Sequence, residues 1–191
     1  MEIRIEIGRG FESVFLQMSG FPGSGKSTLS KYIAKLTGAV IVDHDVVKSA
    51  LLKSLKEKGV ESTVVGGISY DIEWELIGFL LEQKHSVILD SPCLYEGMIK
   101  KGIDLCQKHG ATYKYIECYL NNIEEINRRL QTRERKISQI TKVESEVAFK
   151  KCLSGSKGPL HGEYLIGDSG ESLEKYGKKV MDYIYLAICG R

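Results

Sequence analysis

The segment from Gly20 to Ser27 constrains the fold of this 191-residue chain more than any other. It reads Gly-Phe-Pro-Gly-Ser-Gly-Lys-Ser, so glycines recur just before a lysine and a serine. Glycine lets the backbone curl until successive N–H groups point inward at one anion. The segment follows a short apolar run, 14–18, and precedes a helical pattern whose positive end would face the same anion. This arrangement predicts a cradle for phosphate groups.

The segment completes the pattern G-x-x-x-x-G-K-[ST], which is that of the P-loop of nucleotide-binding proteins. Lys26 is expected to reach the β- and γ-phosphates of ATP, and the hydroxyl of Ser27 is expected to bind Mg²⁺. The predicted contacts to the nucleotide come from Gly20, Gly23, Ser24, Gly25, Lys26, Ser27 and Thr28.

Strand-like and helix-like segments alternate along the chain. Short apolar or alternating runs predict strands at 2–7, 14–18, 39–42, 86–89, 113–119 and 164–166. Apolar residues at helical spacing predict helices at 28–36, 71–83, 95–109, 123–132 and 171–187. Such alternation favours an α/β fold, and right-handed crossovers reduce its topology to a three-layer, doubly wound parallel sheet. Residues 1–191 are expected to form one domain.

Two stretches interrupt this alternation. Residues 53–67 carry charges and a Gly-Gly pair, and residues 133–162 are polar, with several glycines and a proline. Both can be surface loop and solvated helix, or they can be elements that close over a substrate. We expect the second, with a substrate-binding segment at 49–70 and a lid at 128–160.

Carboxylates follow two of the predicted strands. Asp90 ends the apolar run 87–89, where a P-loop protein places the carboxylate of the Mg²⁺ shell, although an Asp there also suits a turn or a cap. Asp43 and Asp45 follow the strand predicted at 39–42. Ligands of open parallel sheets bind beyond the carboxyl ends of the strands, so both acids are expected to face the cleft. Either can take the proton of an attacking hydroxyl, or both only cap the next helix.

The P-loop together with D-x-D-x-x-[RK] at 43–48 resembles the small P-loop kinases that phosphorylate hydroxyl groups. This group includes adenylylsulfate kinase, polynucleotide 5′-kinase, chloramphenicol phosphotransferase and the zeta-toxin kinases, and the likeness is strongest to zeta-toxin-like and polynucleotide-kinase-like ATPases. The resemblance implies that Asp45 is the general base, with Asp43 in reserve. Asp43 and Lys48, near the end of the same predicted strand, are expected to help hold the acceptor. Polynucleotide kinases usually carry arginine where this chain has Lys48. A lysine cannot clamp a phosphate with two parallel hydrogen bonds, which favours a small-molecule acceptor over nucleic acid.

An R-x-x-x-R pair at the lid is a second feature of these kinases, and Arg129 and Arg133 match it. By this resemblance the two arginines clamp the ATP phosphates and stabilise charge during transfer, with Arg128 as a possible substitute. Arginines in the last turn of a helix also interact favourably with the helix dipole, and this interaction alone would explain them without any role in function. Tyr95, just after Asp90, is a candidate for the wall of the acceptor pocket.

Composition separates the remaining alternatives. The formal net charge is only +2, which gives no footprint of nucleic-acid or anionic-membrane binding, and no apolar run reaches the roughly 20 residues of a membrane span. We therefore expect a cytoplasmic phosphotransferase that uses ATP and Mg²⁺ to phosphorylate a hydroxyl of a small molecule. A polynucleotide 5′-hydroxyl or nucleotide-sugar kinase, and a non-catalytic ATP-dependent switch, are the alternatives.

Overall fold

The computed structural model describes residues 13–56, 60–93, 96–147, 149–150, 158–159 and 164–189. Its strands are β1 (Val14–Ser19), β2 (Val40–Asp43), β3 (Val87–Asp90), β4 (Thr112–Tyr119) and β5 (Leu165–Asp168). Its helices are α1 (Lys26–Thr37), α2 (His44–Leu55), α3 (Ser62–Glu82), α4 (Glu96–His109), α5 (Ile123–Thr132) and α6 (Leu173–Cys189). The predicted strand at 2–7 lies outside the described residues. No helix in the described ranges is both long and apolar enough to cross a membrane.

The five strands form one parallel sheet in the order β2-β3-β1-β4-β5. The chain moves from β1 to one edge of the sheet and later crosses to the other edge, so β1 lies at the switch point where open α/β sheets bind their ligands. The register of β2 and β3 places Asp43 directly beside Asp90 at the carboxyl ends of the strands. The predicted doubly wound parallel sheet is confirmed.

Apolar side chains cover both faces of the sheet, as expected for a parallel sheet. On one face, β1 and β4 pack against α1 and α6 through Leu16, Ile116 and Val180, among others. On the other face, Phe15 and Leu89 pack against α3 and α4. These two cores fix the positions of the strand ends, and therefore of the side chains that follow them.

The stretch 53–67 is more regular than the sequence predicts. Helix α2 continues to Leu55 and α3 already begins at Ser62, so the Gly66-Gly67 pair lies inside a helix and does not interrupt one. The prediction of a helix starting at residue 71 is wrong by about two and a half turns, because α3 begins at Ser62. Glycine costs a helix about 1 kcal/mol relative to alanine, and the burial of Val65 and Ser69 on α3 offsets this cost.

Helix α3 is apolar on more than one side, and the sheet selects the buried side. Ile77 and Leu81 are fully buried, whereas Ile72 and Leu76 are exposed although their spacing also predicts this helix. Periodicity therefore identifies the helix without identifying the face that packs on the sheet.

Candidate functional site

A cleft of about 1450 Å³ opens at the carboxyl ends of the strands. The P-loop lies on one side of it, the start of α2 and the first half of α3 on another, and residues 129–140 cover it. The cleft thus brings together segments that are more than a hundred residues apart in the chain. Among the predicted site residues, those that line it are Gly23, Gly25, Lys26, Ser27, Thr28, Asp45, Lys48, Asp90, Arg129 and Arg133.

The P-loop adopts the backbone that its glycines predict. Gly20, Gly23 and Gly25 have φ values of 130°, 87° and 94°, which L-residues rarely adopt. At Gly20 a Cβ atom would lie 2.3 Å from the carbonyl oxygen of Cys118, on the neighbouring strand β4. Gly25 forms the N-cap of α1 without any side-chain hydrogen bond to the helix. The N–H groups of this helix end are the kind that bind a phosphate.

Lys26 closes over the loop that precedes it. Its ammonium donates hydrogen bonds to the carbonyl oxygens of Gly20 (2.7 Å) and Phe21 (3.1 Å). Burial lowers the pKa of Lys26, and the nearby carboxylates of Asp90 and Asp45 oppose this shift. Within the described ranges, the buried hydroxyl of Ser24 has no hydrogen-bond partner. An anion in the loop would give this hydroxyl a hydrogen-bond partner.

Ser27 and Asp90 lie together beside Lys26. Burial raises the pKa of Asp90, while the charge of Lys26 and a hydrogen bond from Ser27 act in the opposite direction. Ser27 is exposed to the cleft, at the first turn of α1. A hydroxyl and a carboxylate in contact offer the oxygen ligands that Mg²⁺ prefers, so these residues fit the ion.

Asp43 has two partners outside the nucleotide end of the cleft. It caps α2 by accepting a hydrogen bond from the N–H of Val46 (3.2 Å), and it pairs with the ammonium of Lys136 (2.9 Å). The helix cap that the sequence allowed for this residue is therefore present. Its predicted role in binding a substrate stays a prediction.

Asp45 is held by two residues that sequence reasoning did not single out. The hydroxyl of Ser138 donates to its Oδ1 (2.7 Å), and the amide of Gln139 donates to its Oδ2 (2.8 Å). Burial raises the pKa of Asp45, but the hydrogen bonds from Gln139 and Ser138 prevail, and the net pKa is below the usual value. The carboxylate is therefore ionised at neutral pH. Nothing in the local sequence signals these contacts, because the partners lie more than 90 residues away.

Buried contacts of His44 with Glu73 and Tyr70, both on α3, hold the start of α2 in place. The Nδ1 of His44 lies 2.9 Å from the Oε1 of Glu73, and the His44 ring stacks on Tyr70 with centroids 4.2 Å apart. Burial raises the pKa of Glu73, although the contact with His44 opposes the shift. Tyr70 in turn donates to the carbonyl of Pro92, just after β3. These contacts tie α2 and α3 to the loop after β3.

The ammonium of Lys48 lies close to Gly66. A Cβ atom on this glycine would lie 3.5 Å from the Nζ of Lys48, an ordinary contact distance. Lys48 and Gly66 both line the cleft. The predicted role of Lys48 toward an acceptor is not tested by these contacts, and Tyr95 lies outside the described residues.

The two arginines of the predicted lid differ in their partners. Arg129 donates to Glu125 (2.7 Å) and to the hydroxyl and carbonyl oxygens of Ser169 (3.2 and 2.9 Å). Arg133 donates one hydrogen bond, from NH2 to the carbonyl of Ile140 (3.1 Å). Its buried Nε has no hydrogen-bond partner within the described ranges, and burial lowers its pKa. Arg133 thus lines the cleft with its Nε unused among the described residues, whereas Arg129 is occupied by its neighbours.

Apolar contacts anchor the covering segment at its far end. Phe149 is 2% exposed and its ring meets that of Phe21, in the P-loop, edge to face with centroids 4.9 Å apart. Ile126 and Leu130 of α5 belong to the same cluster. The N–H of Val143 donates to the side chain of Asn127, which holds the middle of the segment on α5. These contacts hold Val143 and Phe149 beside α5 and the P-loop, after the residues up to Ile140 that line the cleft.

The fold and this site define a P-loop nucleotide-binding protein with the architecture of the small P-loop kinases. The model of the AAA domain family AAA_33 matches residues 16–151, and the chain therefore belongs to this family. The resemblance found in the sequence is confirmed by this match. A comparison with the curated proteins found no match.

Solved structures with the same architecture cover nearly the whole chain. A protein of Chloroflexus aurantiacus J-10-fl, provisionally assigned as a kinase, has a TM-score of 0.71 and 18% identity over 90% of this chain and 98% of its own. A sugar kinase from Janibacter sp. HTCC2649 has a TM-score of 0.63 and 15% identity over 93% and 96% of the two chains. The Mycobacterium tuberculosis APS kinase CysC, in complex with AMPPNP and APS, has a TM-score of 0.56 and 15% identity over 91% and 98%. At these identities the likeness shows the shared fold alone.

Proposed function

We propose that this protein transfers the γ-phosphoryl group of ATP to a hydroxyl of a small molecule, with Mg²⁺. One observation carries the proposal: the ionised carboxylate of Asp45 and the P-loop lysine, Lys26, share one cleft with Arg133, whose Nε has no hydrogen-bond partner within the described ranges. An anion cradle alone would serve a binding protein equally well. A carboxylate poised for a proton, opposite that cradle, is what transfer to an alcohol needs in addition.

The residues divide the work as follows. The P-loop amides and Lys26 bind the phosphates, and Arg133 stabilises the charge that spreads over the γ-phosphoryl oxygens. Ser27 and Asp90 would hold Mg²⁺, which neutralises phosphate charge when bound. The acceptor oxygen attacks the γ-phosphorus, the bond to the β–γ bridging oxygen breaks with its electron pair leaving on ADP, and Asp45 takes the proton. Residues 133–140 exclude water, so hydrolysis without an acceptor is expected to be slow.

Two features favour a compact, anionic acceptor. Lys48 and Lys136 place ammonium groups on the same side of the cleft as Asp45, and Gly66 leaves space beside Lys48. Residues 136–139 contact Asp43, Asp45 and Ser49 at the start of α2. A polynucleotide end is the less favoured acceptor because of the near-neutral net charge.

The test is a transfer screen with γ-labelled ATP and Mg²⁺. Hydroxylated metabolites, hydroxy acids and 5′-hydroxyl oligonucleotides are the acceptors, and the label is followed into the product. Asp45→Asn is expected to lower transfer by about 10²–10⁴-fold while nucleotide binding persists, because only the general base is lost. Asp104→Asn, on the exposed surface of α4, is the matched control. Unchanged transfer in Asp45→Asn would remove this residue from the mechanism, and ATP binding without transfer to any hydroxyl would favour the switch.

A further inference from the structure

The hydroxyl of Ser138 occupies the position that an acceptor hydroxyl needs relative to Asp45. Its Oγ lies 2.7 Å from the Oδ1 of Asp45 and 3.3 Å from the carbonyl oxygen of the same residue. A general base must lie within about 2.6–3.2 Å of the atom whose proton it takes, and this distance falls in that range. The chain thus presents one of its own alcohols to the carboxylate that the proposed function assigns as base.

Ser49 orients this hydroxyl. The hydroxyl of Ser49 donates to the Oγ of Ser138 (3.0 Å), and the N–H of Ser138 donates back to the Oγ of Ser49 (3.2 Å). The Oγ of Ser138 therefore accepts one hydrogen bond, from Ser49, while its own O–H donates a hydrogen bond to Asp45. One lone pair remains on the oxygen for attack on an electrophile.

The cations of the phosphate end lie near the same carboxylate. Asp45 is close enough to Lys26 and to Arg133 for its charge to counteract the lowering of the pKa that burial causes in both. Ser138, Lys26 and Arg133 all line one cleft. A γ-phosphoryl group held by these cations would therefore share that space with the Ser138 hydroxyl.

We propose that Ser138 is phosphorylated within the same molecule, in an inference that rests on the proposed function. The Ser138 Oγ attacks the γ-phosphorus of ATP, its proton passes to Asp45, and the bond to the β–γ bridging oxygen breaks as ADP leaves. The product is phosphoserine at 138, with one phosphate per chain. The new group carries about −1.5 to −2 charges beside the Asp45 carboxylate, so the contact between them does not persist.

The experiment incubates the full chain with γ-labelled ATP and Mg²⁺, without an acceptor, and maps the label by peptide mass spectrometry. We expect label on Ser138 at up to one phosphate per chain, and a rate constant that does not change over a tenfold dilution of the protein. Ser138→Ala is expected to lose the label and Ser138→Thr to retain it. Ser145→Ala removes an exposed hydroxyl further along the same segment and is expected to leave the label in place.

Lys26→Met and Asp45→Asn, purified in the same way, are expected to remain unlabelled, which excludes a contaminating kinase. Absence of label from Ser138 in a chain that binds ATP would overturn the inference, as would label that persists in Ser138→Ala or a rate proportional to protein concentration. The acceptor screen separates this result from the proposed function. An acceptor that is labelled while Ser138 is not leaves the function standing, and a chain that binds ATP and labels neither contradicts both.

Discussion

Gly20→Ala tests whether the close approach of two strands is the reason for glycine at the start of the P-loop. The added Cβ would lie 2.3 Å from the carbonyl oxygen of Cys118 and 2.7 Å from the Oγ of Ser24. The backbone φ of 130° is also one that L-residues rarely adopt. The backbone conformation costs about 1–3 kcal/mol and the overpacking another 1–3 kcal/mol, so a loss of about 2–6 kcal/mol is expected.

Gly38→Ala is the matched control, because it isolates the backbone cost. Gly38 ends α1 with φ 73°, and an added Cβ would meet no atom within 4 Å. This change is expected to cost only about 1–2 kcal/mol. Urea denaturation measures both losses against a total stability of about 5–15 kcal/mol.

Nucleotide affinity provides the second readout of the same pair. The carbonyl oxygen of Gly20 accepts a hydrogen bond from Lys26, so a shift of Gly20 away from Cys118 also displaces the lysine. We expect titration with a fluorescent ATP analogue to show at least a roughly tenfold weaker affinity in Gly20→Ala, equivalent to about 1.4 kcal/mol, and little change in Gly38→Ala. Equal destabilisation of the two variants, or wild-type affinity in Gly20→Ala, would refute this explanation of the glycine.

Three further predictions concern the charged groups of the cleft. Arg133→Lys is expected to lower kcat/KM by about 10–100-fold, because the Nε–H that would bind the transferred phosphoryl group is lost. Arg129→Lys is expected to lower kcat/KM less, because Arg129 is already bound to Glu125 and Ser169. Equal losses of kcat/KM in the two variants would contradict this distinction. Gln139→Ala removes a hydrogen bond that lowers the pKa of Asp45. The acid limb of the pH profile of kcat/KM is therefore expected to move to higher pH. An acid limb at the same pH in the wild type and the variant would exclude Asp45 as the titrating base. Burial raises the folded-state pKa of Glu73, so ionisation of this carboxyl opposes folding. In urea denaturation the wild type is expected to lose stability relative to Glu73→Gln as the pH rises from about 4.5 through that pKa, by at most about 1.4 kcal/mol per pH unit. A stability difference that is independent of pH would contradict the buried charge.

Local patterns in the sequence were enough to predict the cradle and the order of the elements. A P-loop depends on backbone angles and helix ends within eight residues, and glycine positions report both directly. Strand–helix alternation with right-handed crossovers then leaves few topologies, of which the observed parallel sheet is one. The strand-end position of Asp90 likewise follows from the apolar run that precedes it.

Helix α3 marks the limit of this reasoning. Gly66 and Gly67 suggested a break because glycine has a low intrinsic helix propensity. The helix nevertheless continues through both glycines, because the neighbouring Val65 and Ser69 are buried against the rest of the protein. The exposed Ile72 and the buried Ile77 are chemically alike. Only the position of the sheet decides which of them enters the core.

By itself, the sequence of this protein determined the parallel α/β sheet, the phosphate cradle at Gly20–Ser27 and the acids at the strand ends, because each is written in neighbouring residues. The tertiary structure alone decided that Cys118 crowds Gly20, that Glu73 lies under His44, and that the side chains of Ser138 and Gln139 bind Asp45. These contacts join residues tens to nearly a hundred positions apart. They arise from the way packed elements bring distant segments together, and no local pattern of residues encodes that distance.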